Sequence, residues 1–301
     1  MNAEVPPVLW SRAMSFALLR AMRPKQWVKN LFILAPLVFS KKLFDADASI
    51  ASAIAFLLFC ATSSAVYLLN DIADREKDRA HPQKRFRPIA SGELSITAAR
   101  RAALILLVGA LGAAALYAPA LALILAGYLT LNFAYTHKLR EIPYLDVLCI
   151  AGGFELRVLG GAAAADIPAS GHLLVATFFL ASFLGLGKRM HELLEVSDAE
   201  RRSVLSRYDR RGLRYTLIVF GLVPIAVYLS YTLSAETRAL IDCPQLPLTT
   251  VFPIFGVARF MMLITSGHEY ESPTEAMLHD APFLLNFVLW AGFMLALLYA
   301  F

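Results

Sequence analysis

The chain has 301 residues, 58% of them apolar and only 17% charged, with 28 Lys and Arg against 23 Asp and Glu for a formal net charge of +5. Its mean hydropathy is +0.60. That balance is too apolar for a surface bathed in water, so it excludes an ordinary soluble domain and leaves an integral membrane protein, for which no nucleic-acid partner is expected.

Nine apolar runs of spanning length follow one another at about 27–44, 48–69, 97–117, 119–135, 144–164, 170–187, 213–234, 249–266 and 282–300. None alternates apolar with polar residues as a barrel strand would, so the expected fold is all-α: a polytopic bundle of nine transmembrane helices formed by one domain, residues 1–301. The first 20 residues carry no apolar core followed by a small-residue cleavage site, and no removable signal peptide is expected. Lys and Arg set the orientation. Four lie in residues 1–26, eight from Arg75 to Arg101, two at Lys138 and Arg140, and eight from Lys188 to Arg214, whereas the opposite loops hold Lys41, Lys42 and Arg238. The N-terminus and the long segments 70–96 and 188–212 are therefore expected on the cytoplasmic side of the membrane. Cys60 and Cys149 fall in spans and Cys243 in an outer loop, without metal-ligand spacing or a disulfide framework.

The second run leads into "NDIADREKDRAHPQKRFRP", residues 70–88. On a continuing helix Asn70, Asp71, Asp74 and Asp78 crowd one face, where like charges repel unless a cation sits among them. Hard oxygen ligands of this kind suit Mg²⁺, which takes one or two carboxylates together with substrate phosphates. A solvated helix end, its acids paired with Arg75, Lys77 and Arg79, is the competing reading. Beyond Pro82, which stops a helix, come Lys84, Arg85 and Arg87 around Phe86. Acids able to hold a metal beside a cluster of bases point to a diphosphate, with metal and cations neutralising different oxygens. The sixth run ends in a comparable charged patch, "LGLGKRMHELLE". Its "GLGKR" is no phosphate loop, since Ser182 and Arg189 stand where that motif needs Gly and Ser or Thr.

"NDIADREKD" fits the NDxxDxxxD pattern, and with "RPKQWVKNLFILAPLVFS", "DRAHPQKRFRPIASG", "IPYLDVLCIAGGFELRVLGG", "GKRMHEL" and, more weakly, "SPTEAMLHD", the chain resembles the UbiA prenyltransferase superfamily. The later blocks resemble its branch of decaprenyl-phosphate phosphoribosyltransferases. The resemblance implies nine helices around a cavity with a Mg²⁺–diphosphate site at its cytoplasmic end, and transfer of the 5-phosphoribosyl group from phosphoribosyl pyrophosphate to a polyprenyl phosphate, feeding a lipid-linked pentose donor for envelope or exported glycans. Asn70, Asp74 and Asp78 become the expected metal ligands; Asp71, Asp74 and Asp78 the catalytic acids, with Asp71 orienting the ribose ring or a metal-bound water. Lys25, Lys84 and Arg87 are expected phosphate clamps. Tyr135 and Arg140 match a Tyr and a base that bind phosphate in this branch, against a reading as interfacial anchors. Prenyl-transferring relatives usually carry a second aspartate-rich motif after the sixth helix; here that place holds Lys188, Arg189, His191, Glu192 and Glu195, with Asp198 further on. Lys188 and Arg189 are thus topology anchors or phosphate ligands.

Asp146 and Arg157 lie eleven residues apart on one face of the fifth run, and intramembrane ions pair with each other or line a cavity. Arg157 is expected to bind the lipid phosphate; Glu155 is a candidate partner for Arg259. "GALGAAAL" and "GGAAAA" permit close helix packing or leave room for an isoprenoid tail. Two other functions compete: a prenyltransferase acting on an aromatic acceptor, and a transporter of phosphorylated metabolites. The concentration of charge at one membrane face counts against the transporter. Oligomeric state stays open, a homo-oligomer included.

Overall fold

Helix starts follow from capping side chains. Asp45 accepts the Ala48 N–H at 3.1 Å, Ser95 the Ala98 N–H at 3.2 Å and Asp209 the Gly212 N–H at 2.7 Å. Each opens a long helix by satisfying a donor that the first turn leaves orphaned. The computed structural model describes residues 7–195, 207–241, 243–265 and 273–299, and among these there is no strand.

In chain order the helices are α1 (Pro7–Met22), α2 (Ala35–Phe39), α3 (Ala46–Ala73), α4 (Arg75–Ala80), α5 (Pro88–Ser91), α6 (Ile96–Tyr117) and α7 (Pro119–His137). They continue with α8 (Leu145–Ala164), α9 (Gly171–Glu195), α10 (Arg210–Leu233), α11 (Ala235–Leu240), α12 (Val251–Thr265), α13 (Pro273–His279) and α14 (Ala281–Tyr299). Among the described residues eight helical segments are long and apolar enough to cross a membrane: α3, α6, α7, α8, α9, α10, Leu246–Thr265 and α14. Large apolar side chains stand outward along them, Leu116 at 92% exposure and Ile105 at 71% on α6, as hydrocarbon rather than water as solvent allows.

The first expected span, 27–44, takes another form. A 3₁₀ helix, Pro24–Leu34, runs directly into α2. Because a 3₁₀ turn rises about 2 Å per residue, these sixteen residues reach about 30 Å, the thickness of a hydrocarbon core.

The chain divides into two compact units, and α8 passes from the second (Phe133–Glu155) into the first (Leu156–Pro168). The first unit also contains α1 and α3–α6. Its cores are Phe59, Leu121, Leu125, Ile33 and Tyr128, and Ala17, Ala21, Leu68, Ile89 and Ala103. The "GGAAAA" run brings α8 against the 3₁₀ segment: a Cβ at Gly161 would lie 1.9 Å from the Ile33 carbonyl oxygen, and one at Gly160 2.4 Å from the Phe59 ring. The second unit holds α9–α14, packed on Phe183, Leu186, Leu213, Leu217 and Phe260.

Gly161→Ala should lower stability in detergent by about 3 kcal/mol, because backbone cannot move aside as a side chain can. Gly109→Ala, where a Cβ meets nothing within 4 Å, should raise it by up to about 1 kcal/mol. Paired thermal melts check the contrast; equal shifts would show that no close contact exists at Gly161.

Candidate active site

At the end of α3 the first unit gathers its charges. Asp74 leaves helical geometry (φ −91°, ψ 5°) and α4 resumes at Arg75. The hydrogen-bond ladder nevertheless runs on, Asp74 N–H to the Asn70 carbonyl and Asp78 N–H to the Asp74 carbonyl, both at 2.8 Å. Asn70, Asp74 and Asp78 therefore follow one another turn by turn along one face. Asp71 and Asp78 are buried, 3% and 4% exposed. Two dry carboxylates so placed need counter-charge, and two arginines supply it. Arg87 donates through one nitrogen to Asp78 Oδ2 at 2.7 Å and to Asp71 Oδ1 at 3.4 Å, while Arg23 donates to Asp71 Oδ1. Removing one partner from a buried pair of this kind costs about 3–5 kcal/mol.

Neither arginine is among the neighbours considered for pairing from sequence. Arg75 and Arg79 instead reach the exposed Glu76, at 3.0 and 3.5 Å, contacts worth little in water. Arg87, expected as a phosphate clamp, is the shared counter-ion of the two acids. Arg23 was not anticipated: it precedes Pro24 in a left-handed conformation (φ 55°), and its guanidinium lies over the Tyr67 ring at 5.1 Å. The left-handed backbone costs about 1 kcal/mol, and the bond to Asp71 offsets it. The sequence signal was the lone arginine at the head of "RPKQW".

The basic half folds as a knot of turns. α4 ends at Ala80 ahead of Pro82, the Gln83 N–H donates to His81 Nδ1 at 3.2 Å, and Arg79 Nε holds the Ala90 carbonyl at 3.1 Å. Lys84 is half-buried and Lys25 exposed. Among the described residues no three His, Cys, Asp or Glu side chains converge as a ready cage for a metal. Asn70, Asp74 and Asp78 are hard oxygen donors on successive turns, a set that fits a cation held by one or two carboxylates and completed by water and phosphate oxygens.

Deeper in the same unit Arg157, 5% exposed, donates to Asn30 Oδ1 at 2.8 Å and to the Tyr128 hydroxyl at 3.0 Å and lies over the Tyr128 ring at 4.9 Å. Asn30 in turn donates to Cys60 Sγ at 3.2 Å. The alternative of an Asp146–Arg157 pair gives way to this arrangement for a simple reason: eleven helical residues separate two Cα atoms by about 16 Å.

In the second unit Asp146, 1% exposed, accepts from Arg189 Nε at 2.7 Å and from the Tyr208 hydroxyl at 2.6 Å. Arg189 also donates to Glu192 at 2.5 Å, so it sits between two carboxylates. Tyr208, which sequence reasoning missed, accepts the Tyr144 N–H at 2.7 Å and clasps a left-handed turn (Tyr144 φ 66°). Burial and the bond to Asp146 push its hydroxyl pKa up. Lys188, Tyr135 and Arg140 are half-buried in this unit. Arg259 takes Asp280 through two bonds, 3.0 and 2.7 Å, rather than Glu155, whose Oε1 is buried without a hydrogen bond. The Glu195 side chain and Asp198 lie outside the described residues.

Tyr208→Phe should lower stability by about 1–3 kcal/mol, since the Tyr144 N–H and one Asp146 oxygen lose their partner. A raised folded pKa means that Tyr208 contributes fully below the ordinary tyrosine value of about 10 and loses that contribution as pH climbs past it. Melts across alkaline pH should therefore fall less steeply in Tyr208→Phe than in wild type; parallel curves would exclude the buried hydroxyl.

Comparison with known proteins agrees with this fold. The model of the UbiA prenyltransferase family matches residues 32–241. The chain is 34% identical over 294 residues to a decaprenyl-phosphate phosphoribosyltransferase of Mycolicibacterium smegmatis, covering 94% of this chain and 92% of that one. It is 38% identical over 222 residues to the protein of the same name in Corynebacterium glutamicum, covering 72% and 66%. Its fold superposes on a UbiA homologue from Archaeoglobus fulgidus solved with DMAPP and Mg²⁺, at a TM-score of 0.65 and 16% identity over 94% of this chain and 99% of that one. The chain belongs to the UbiA prenyltransferase family.

Proposed function

We propose that the chain is a membrane transferase that moves the 5-phosphoribosyl group from phosphoribosyl pyrophosphate to a polyprenyl phosphate and releases pyrophosphate. The observation that carries this is the buried acid–arginine cluster at the end of α3, next to the Lys84–Arg87 turn, in a chain whose patch at the end of α9 is rich in bases where a second aspartate motif would stand. A substrate with a diphosphate and a further phosphate, meeting a phosphorylated lipid, needs such an excess of cations. Relatives at 34% and 38% identity bear the name of this reaction.

Asn70, Asp74 and Asp78 would hold Mg²⁺, whose chemistry is to neutralise the departing pyrophosphate. The chain's own groups do the rest. Lys84, Lys25 and Arg87 clamp phosphate oxygens, and Asp71 faces the ribose as positive charge grows at C1. The C1–O bond to pyrophosphate breaks and a C1–O bond to the lipid phosphate forms. That phosphate is already an anion, so no strong base is required, and positioning carries most of the rate. Arg157 binds the lipid phosphate, with Tyr135, Arg140 and Lys188 as further cations or donors toward phosphate; Arg189, expected as a phosphate ligand, is instead held by Asp146 and Glu192 and serves to position its helix end. Residues 1–301 act as one catalytic domain in a bacterial plasma membrane, with the site facing the cytoplasm, and the product enters lipid-linked pentose synthesis.

Purified protein in detergent, given ribose-labelled phosphoribosyl pyrophosphate, polyprenyl phosphate and Mg²⁺, should move label into the organic phase. Asp74→Asn should cut that transfer by about 100-fold with an unchanged melt; full turnover would sink the metal assignment. Lys84→Ala should raise KM for phosphoribosyl pyrophosphate about tenfold, the loss of one charge-assisted bond, and raise KM for the lipid less. An equal loss for both would place Lys84 where the two phosphates meet.

A further inference from the structure

We infer that Arg87 is an internal competitor for the metal site, so that a divalent cation and a diphosphate bind this chain cooperatively; the inference deepens the proposed function and rests on its assignment of a diphosphate to the α3 site. Asp78, one of the three oxygen donors in register on that face, is bonded to Arg87 at 2.7 Å, and the same guanidinium nitrogen reaches Asp71 at 3.4 Å. Arg23 closes the group on Asp71. Two carboxylates and two guanidiniums balance in charge, and a divalent cation that takes Asp78 upsets that balance in a poorly solvated place.

The exposure of the partners shows how the balance is restored. The Asp71 and Asp78 side chains are 4% and 6% exposed, whereas those of Arg23 and Arg87 are 28% and 31%. The acids are fixed in the dry layer and the arginines form its wet rim. Arg87 can exchange a carboxylate for a phosphate oxygen by turning outward, and its planar fork suits either anion. An arriving diphosphate therefore draws Arg87 away and leaves Asp78 to the cation. By linkage each ligand raises the affinity of the other by the same factor. Arg87 is thus a positioning residue for the metal as well as a phosphate clamp. The arrangement also disfavours a cation bound without its diphosphate.

The test is Mn²⁺ binding to the full chain in detergent, followed by paramagnetic resonance at controlled free Mn²⁺, with and without inorganic pyrophosphate. Wild type should bind Mn²⁺ weakly alone and about tenfold more tightly with pyrophosphate. Arg87→Gln should bind Mn²⁺ alone about tenfold more tightly than wild type and gain less than about twofold from pyrophosphate. Arg20→Gln, which loses an ion pair to the exposed Glu93 and a 3.3 Å bond to the Phe86 carbonyl but no contact with either acid, should behave as wild type. If Arg87→Gln does not elute as a monodisperse species, Arg87→Lys replaces it: an ammonium keeps the charge but lacks the planar, bidentate grip on an incoming phosphate, so its coupling should also fall. Wild-type Mn²⁺ affinity, or undiminished coupling, in the Arg87 variant overturns the inference. Coupling in a chain that transfers no ribosyl label supports the exchange and removes the donor assignment; transfer without coupling does the reverse.

Discussion

Everything at the end of α3 depends on giving counter-charge to two carboxylates where there is little water. Asp71 and Asp78 are almost fully buried, and a buried carboxylate without a partner is strongly destabilising. Arg87 and Arg23 supply the partners. They come from opposite ends of the local chain, one from the turn after α4 and the other from the junction of α1 with the 3₁₀ helix. The ion pairs therefore also hold α1, α3 and the basic turn together. Mutual neutralisation of acids and arginines lets this end of α3 assemble without an uncompensated charge on either side.

The second unit solves the same problem differently. Arg189 lies between Asp146 and Glu192, and Tyr208 caps the remaining Asp146 oxygen. Where prenyl-transferring relatives usually place an aspartate motif, this chain has a base already satisfied by acids from α8 and from its own helix. Asp146 and Arg189 are only 1% and 4% exposed, so the cluster's first role is to fix the turn from which α8 rises. The left-handed Tyr144 shows how tightly that turn is drawn.

The apolar runs made eight spans legible, because about twenty apolar residues in succession have few other uses. The first run was misjudged in form: it follows a 3₁₀ path after Pro24, and hydropathy averages do not see helix pitch. The acidic face was legible too, since Asn70, Asp74 and Asp78 need only the helix period to be placed together. Its counter-ions were not. Arg23 lies 48 residues from Asp71 and Tyr208 lies 62 from Asp146, and no local spacing rule reaches that far. The competing reading, acids paired with bases of the chain itself, looked to the adjacent Arg75, Lys77 and Arg79, whereas the partners are Arg87 and Arg23.

We propose that the site selects a phosphorylated sugar diphosphate over an isoprenoid one. The most direct measurement offers both to the same purified protein: phosphoribosyl pyrophosphate with polyprenyl phosphate, and geranyl diphosphate with an aromatic acceptor, at equal concentrations with Mg²⁺. Ribosyl label in the lipid phase, with the prenyl diphosphate left intact, is the predicted result. Consumption of the prenyl diphosphate with no ribosyl transfer would contradict it and make the basic turn a membrane anchor.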